Sequence, residues 1–196
     1  MPLTKLNNKA VANVTSIPVA LGDMVLVSSA TASSSASIEF TLGNYKEYQF
    51  YFVNMHPSVD NSAFQFNLST DNGSNYNVVK TTTYFFALHK EDGTLSNFTY
   101  SAGADLAQST ANQQIAQNIG ADNDQSMSGN FTLYNPSSST FVKHFISTTQ
   151  IAELSDNTVN VFSAGYANTT SPLTNIRFQM DSGNIDAGTI LMYGIN

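Results

Sequence analysis

Asp181-Ser182-Gly183-Asn184-Ile185-Asp186-Ala187-Gly188-Thr189-Ile190-Leu191-Met192-Tyr193-Gly194-Ile195 is the stretch whose reading decides the fold. A cluster of Ser, Asn, Gly and Asp feeds an apolar run, which is the pattern of a turn followed by a half-buried strand. A strand this near the end of a chain is stable only when paired inside the domain, so a sheet is expected to close on it. The same layout occurs earlier, where Asn135-Pro136-Ser137-Ser138-Ser139-Thr140 leads into Phe141-Val142-Lys143-His144-Phe145.

Working back from these two segments, the apolar period is two almost throughout. Ile38, Phe40 and Leu42 alternate with Glu39 and Thr41; Tyr48, Phe50 and Phe52 with Gln49 and Tyr51; Phe64, Phe66 and Leu68 with Gln65 and Asn67. Period two places one set of side chains inward and the other outward, as in a strand. Further strands are expected at 82–90, 128–135, 141–149, 159–165, 173–180 and 189–195, separated by turn clusters such as Asp71-Asn72-Gly73 and Glu91-Asp92-Gly93. Eight or nine strands at this spacing predict an all-β fold, a two-sheet β-sandwich of jelly-roll type spanning residues 38–196.

Residues 1–37 read differently. They contain small aliphatic residues and no aromatic one, and end in the Ser/Ala run Ser28-Ser29-Ala30-Thr31-Ala32-Ser33-Ser34-Ser35-Ala36-Ser37. Such a segment contributes little to a core, so an extended N-terminal arm with a flexible connector is expected, carrying at most a short strand at 24–27.

Residues 101–125 are the other exception, rich in Ala, Gln, Asn and Asp, with Ile115 and Ile119 four apart as in one or two helical turns. A long insertion between strands is a natural contact element. The candidate contact surface is accordingly Tyr100, Asp105, Gln108, Asn112, Gln113, Gln114, Gln117 and Asn118.

Composition narrows the function classes. Of 196 residues only 11% are charged, and the net charge is −7 with Arg177 the only arginine. Nucleic-acid binding needs clustered cations to release counterions from phosphates, so that partner is not expected. Neither is membrane insertion, because the apolar runs fall far short of the ~20 residues a spanning helix needs. The chain has no Cys, which removes disulfides and thiol chemistry. Met1-Pro2 and the polar residues after it lack a signal-peptide layout, so synthesis in a cytoplasm is expected.

Motifs for catalysis are thin. Ser69-Thr70-Asp71-Asn72-Gly73-Ser74-Asn75-Tyr76 resembles the Asp-box of sialidase hairpins, where its role is structural; one copy predicts a hairpin turn. Asp122-Asn123-Asp124 and the carboxylates between Asp181 and Asp186 lack calcium-loop spacing, and turn chemistry accounts for them. His56, His89 and His144 belong to no nucleophile motif, and a glycan-cleaving site would need paired carboxylates, with only Glu39 and Glu47 on expected strands. A non-enzymatic protein without metal or cofactor is expected. The aromatic residues are the richer signal: Tyr45, Tyr51, Tyr84, Phe85, Phe86, Tyr100, Tyr134 and Tyr166 exceed what a core needs, and tyrosines left over suit contact surfaces.

The run Ser33–Thr41, then Lys46-Glu47-Tyr48-Gln49-Phe50, then Asn135–Phe145, and finally Ser182–Ile190 with Tyr193-Gly194-Ile195, resembles a group of small virion proteins encoded by tailed bacteriophages, particularly marine ones. The resemblance runs from about Gly22 to the C-terminus. It implies a structural role in the virion as a tail fibre, adhesin or capsid decoration, with no catalytic residues to carry over. On that reading the protein is made in a bacterial host cytoplasm and ends in the virion, docked on other virion proteins through its arm. It would form a homo-oligomer, with a homotrimer favoured by fibres in general, and face a host-surface glycan or protein. Capsid decoration or a head fibre is the alternative, and a glycan-cleaving spike the third reading.

Overall fold

The computed structural model describes residues 24–196. In chain order the strands are β1 (Val25–Thr31), β2 (Ile38–Thr41), β3 (Glu47–Pro57), β4 (Ser62–Ser69), β5 (Lys80–Lys90), β6 (Ser96–Tyr100), β7 (Gln113–Ile119), β8 (Met127–Tyr134), β9 (Lys143–Glu153), β10 (Asn157–Ala167), β11 (Asn175–Met180) and β12 (Ile185–Ile195). The described residues are all-β, without a helix, and every pairing is antiparallel.

The hydrogen-bonded path is β1-β12-β3-β8-β9-β7-β4-β11-β2, with β10 on the other side of β9, then β5, then β6. The join between β7 and β9 is a single residue pair, Ile119↔Glu153. The sheet folds at that point, and β4 and β11 return across β3 and β8 to give a nearly closed, barrel-like wall. Phe178 on β11 is the hub of this closure. Its ring meets Phe50 and Phe52 of β3 at 5.3 and 5.1 Å, Phe64 of β4 at 5.8 Å and Phe131 of β8 at 6.1 Å. Phe66 adds Phe131 and Phe145 at 4.6 and 4.9 Å, so the period-two aromatics of the sequence meet one another in a single core.

Three expectations are corrected. Twelve strands replace eight or nine. Of the expected arm, residues 1–23 lie outside the described residues, whereas Ser28–Thr31, expected as a connector, continue β1 along β12. Beyond it Ala32 N–H donates to Gly188 O, and Ser35 and Ile185 exchange backbone hydrogen bonds of 2.8 Å. The Ser-rich run and the 182–190 segment, quoted separately above, are therefore neighbours, and small hydroxyl side chains let the two backbones lie close. The helical turns expected within 101–125 do not form: residues 113–119 are strand β7, paired with β4 through Gln113↔Phe66, Gln114↔Gln65, Ala116↔Phe64 and Ile119↔Ser62.

Candidate functional site

The expected contact residues separate into three groups. Tyr100, Gln108 and Asn118 are exposed; Asp105, Asn112, Gln114 and Gln117 are half-buried; Gln113 is fully buried. The Tyr100 hydroxyl donates to Asp105, and that bond holds the phenol above its ordinary pKa. Gln108 Nε2 donates to Thr81 Oγ1 at 2.6 Å while its Oε1 accepts from Asn168 Nδ2 at 2.7 Å. Asn112 Oδ1 accepts from Asn67 Nδ2 at 2.9 Å. These side chains tie the loop before β7 down onto β4, β5 and the segment after β10. The contact loop expected at this place is a strap whose polar groups are largely spent on the protein itself.

Gln113 belongs to the interior. Its Oε1 accepts from Thr82 Oγ1 at 2.5 Å, and its Nε2 donates to Ala104 O at 2.9 Å and Gln114 O at 2.7 Å. A buried polar group left without its partner costs ~1–3 kcal/mol. Gln113→Ala is therefore expected to lower unfolding free energy by about 2–3 kcal/mol in urea titration. Gln117→Ala is expected to change it by less than ~0.5 kcal/mol. Equal effects of the two would remove Gln113 from this structural role.

The Asp-box-like turn forms as its chemistry requires. Ser69 Oγ donates to Asp71 Oδ1 at 2.7 Å and accepts from Gly73 N–H at 3.0 Å. Asp71 also receives Asn75 N–H at 2.9 Å and Asn75 Nδ2 at 2.7 Å, and Gly73 takes φ +81°, the left-handed region. The segment is nevertheless not a hairpin turn: β4 pairs with β7 and β11, and β5 with β6 and β10. It carries the chain from one ladder to another, and Tyr76 under it packs against Arg177, whose guanidinium carbon lies 4.3 Å from the ring centre.

Hydrogen bonds from Asn75 and Ser69 pull the Asp71 carboxyl down to about 2. A depressed folded value stabilises the fold above the unfolded value near 3.8, and the contribution disappears as pH falls through about 2. Melting temperatures measured between pH 5 and 2 are expected to fall less steeply in Asp71→Asn than in the parent. Parallel curves would show that the turn does not discriminate the carboxylate.

The histidines are placed apart. His56 sits at the end of β3 with Nδ1 3.7 Å from Asp186 Oδ2 and Nε2 3.2 Å from the Asp122 carbonyl. His89 is exposed on β5, and His144 is exposed on β9 against Tyr166. Near His56 two shallow clefts of about 600 and 420 Å³ adjoin through Asp124, Gln125 and Ser126. Glu91, Asp122, Glu153 and Asp156 line the larger, Asp186 and His56 the smaller. Asp181, the other flank of the turn before β12, spends Oδ1 on Ala63 N–H at 2.8 Å. Among the described residues no group of three or more His, Asp or Glu converges as a metal site.

One feature escaped the sequence reading, and a second was signalled there only by its aromatic residues. Lys80 and Lys143 are fully buried, and both stand opposite Ala167 in the ladder β5-β10-β9. Lys80 Nζ donates to Asn67 Oδ1 at 2.6 Å and Val78 O at 2.8 Å, and burial brings its pKa down to about 7. Lys143 Nζ donates to Thr169 O at 3.0 Å, and burial lowers its pKa as well. Their positions were readable in phase: Lys80 has the parity of inward Tyr84, and Lys143 that of inward Phe145.

The second feature is the solvent face of β9, β10, β5 and β6. Its outward positions are His144, Ile146, Thr148, Gln150 and Ala152 on β9, Thr158, Asn160, Phe162, Ala164 and Tyr166 on β10, Thr81, Thr83, Phe85, Ala87 and His89 on β5, and Ser96, Phe98 and Tyr100 on β6. No Asp, Glu, Lys or Arg is among them. Phe98 is 70% exposed, Tyr100 54%, Ile146 51% and Phe162 38%, well beyond the scattered single apolar residues of an ordinary surface. No family model, no curated protein and no solved structure matches the chain.

Proposed function

We propose that the chain is a non-enzymatic structural protein of a tailed-phage virion, a jelly-roll domain in a tail appendage that assembles as a homo-oligomer and meets its surroundings through an outward β-sheet face. The strand order supports the jelly-roll part. β1-β12-β3-β8 and β2-β11-β4-β7 are two antiparallel runs of four, facing each other across the Phe178 cluster. This is the order of eight strands wound as two Greek keys, an arrangement used by viral capsid and lectin domains. Fold analogy alone assigns no function.

The observation that carries the function is what has been added to those eight strands. β5 and β6 enter between β4 and β7, β9 and β10 between β8 and β11, and the two insertions meet through the full-length pairing of β5 with β10. Together they extend one sheet beyond the core with a face that is aromatic, amide- and hydroxyl-bearing and uncharged. Interface cores are depleted in charge and enriched in Tyr and Phe, so this is the composition of a contact surface. The segment preceding β1 would dock on other virion proteins, and the free side of the domain would meet a host-surface glycan or protein.

Quantitative mass spectrometry of gradient-purified particles from a culture encoding the chain tests this. A few copies per particle are expected for a tail appendage. Copies in the hundreds would replace it by capsid decoration, and absence from the particles would overturn the virion reading.

A further inference from the structure

We infer that the face formed by β9, β10, β5 and β6 pairs with the same face of a second copy of this chain. The inference rests on the homo-oligomer part of the proposal above and adds the surface and its symmetry.

Shape carries it first. Phe85 and Phe162 stand opposite each other on neighbouring strands with ring centres 5.1 Å apart and planes 12° apart, and Phe98 leans on Phe85 at 5.7 Å. The three rings make a ridge. Two residues further along β10 the side chains shrink: Ala164 lies between Thr83 and Ile146. A shallow, mainly apolar groove of about 480 Å³ lies there, with His144 and Tyr166 also lining it. A ridge beside a groove on one face is self-complementary, because a twofold axis between them lays each copy's ridge in the other's groove. An isologous contact needs this property.

Chemistry and size select the same occupant. The chain carries a net charge of −7, and copies of it repel wherever carboxylates face each other. This face has no charged side chain to desolvate or oppose. Three of its strands have eleven residues. With five more residues in β6, at ~3.3 Å per residue and ~4.8 Å between strands, the four strands present on the order of 600 Å² of sheet. That is at the lower end of the range around ~800 Å² per partner of a stable protein–protein interface. A sugar ligand is a poorer fit for the ridge: pyranose stacking needs an open ring face, and Phe85 and Phe162 each spend one face on the other.

The test is the molar mass of the purified chain by light scattering across a concentration series, for the parent, Ala164→Glu and Phe98→Asp. Ala164→Glu fills the groove with a charge, and Phe98→Asp removes the outermost ring of the ridge; both sites face solvent, so melting temperatures should stay near the parent's. The parent is expected to be a dimer, or a larger assembly with an even number of chains, and each variant to raise the dissociation constant by tenfold or more. A monomeric parent would overturn both the pairing and the homo-oligomer reading. A trimer, or an oligomer whose mass neither variant changes, would overturn the pairing alone. Retention of a monomeric parent on uncharged polysaccharide, lost in Phe98→Asp, would hand the face to a glycan instead.

Discussion

A chain ended after Gly188 is expected not to fold. The eight residues removed form most of β12, which lies between β1 and β3 and is the sole partner of β1 among the described residues. Ile190 and Met192 go into the core, while Leu191, Tyr193 and Ile195 are half-buried on the other face. Full burial of a large apolar side chain is worth roughly 1.5–3 kcal/mol, so these residues together approach the ~5–15 kcal/mol that holds a whole domain. The ladder hydrogen bonds of β3 and β1 would lose their partners as well. Gly194 shows how closely this strand is fitted: a Cβ there would lie 2.5 Å from the Tyr45 ring. Insoluble expression, or a soluble chain without a cooperative melt followed by circular dichroism, is the expected result. A cooperative transition in the truncated chain would mean that β3 and β1 find another partner.

The sequence made β12 legible because its apolar run follows a turn whose side chains have evident work: Asp181 Oδ1 accepts Ala63 N–H, and Asn184 Nδ2 donates to Ser34 Oγ. The strands at 38–41 and 47–57 were legible from alternation imposed by one buried face, and 62–69 from Phe64, Phe66 and Leu68 alternating with polar residues that are buried as well. β7 was not. Its isoleucines stand four apart, the spacing of a helix face, yet both are buried in a strand. The cause is an interruption of the pleat. The register against β4 slips twice, between Gln65 and Phe64 and between Phe64 and Ser62, so Gln113, Ala116 and Ile119 are the residues set against Phe66, Phe64 and Ser62, and the buried positions run in threes as on a helix face. A bulge changes parity without leaving a mark on a one-dimensional pattern.

The proposed contact surface was half legible. An excess of aromatic residues signalled it, but which of them faced outward depended on pairings between insertions far apart in the chain. Adjacent Phe85 and Phe86 divide between the two faces, and Tyr84 goes fully into the core. The segment expected to make contacts is tied to β5 and β4 by its own side chains, Gln108 donating to Thr81 and Asn112 accepting from Asn67.

The buried lysine gives the protein an unusual pH response, and its stability is expected to rise from pH 7 to pH 10. Lys80 has an ordinary value of 10.5 unfolded and about 7 folded, the shift coming from burial. Between those values the unfolded chain holds a proton that the folded chain has released. Raising pH then favours the folded state, by up to ~1.4 kcal/mol per pH unit for a single proton. Lys143, also lowered by burial, adds with the same sign. Burial raises Tyr48 and Tyr84 above their ordinary 10.0, so above about pH 10 the unfolded phenols ionise first and the trend reverses. The expected profile is therefore a maximum near pH 10, with a gain on the order of a few kcal/mol over pH 7.

Lys80→Met separates this cause from the rest of the surface. It abolishes the titration but orphans Val78 O, at ~1–3 kcal/mol, and leaves Asn67 Oδ1 with the Leu68 N–H as its remaining donor. The variant should be clearly weaker than the parent at pH 9.5, where the parent's amine is neutral and still donates. The deficit should shrink toward pH 6.5, where the parent carries a buried charge. Urea midpoints at half-unit intervals would show the two curves converging as pH falls. Curves that stay parallel would mean that Lys80 is protonated alike in both states, through a water path or a counter-charge brought in by a partner on the sheet above it.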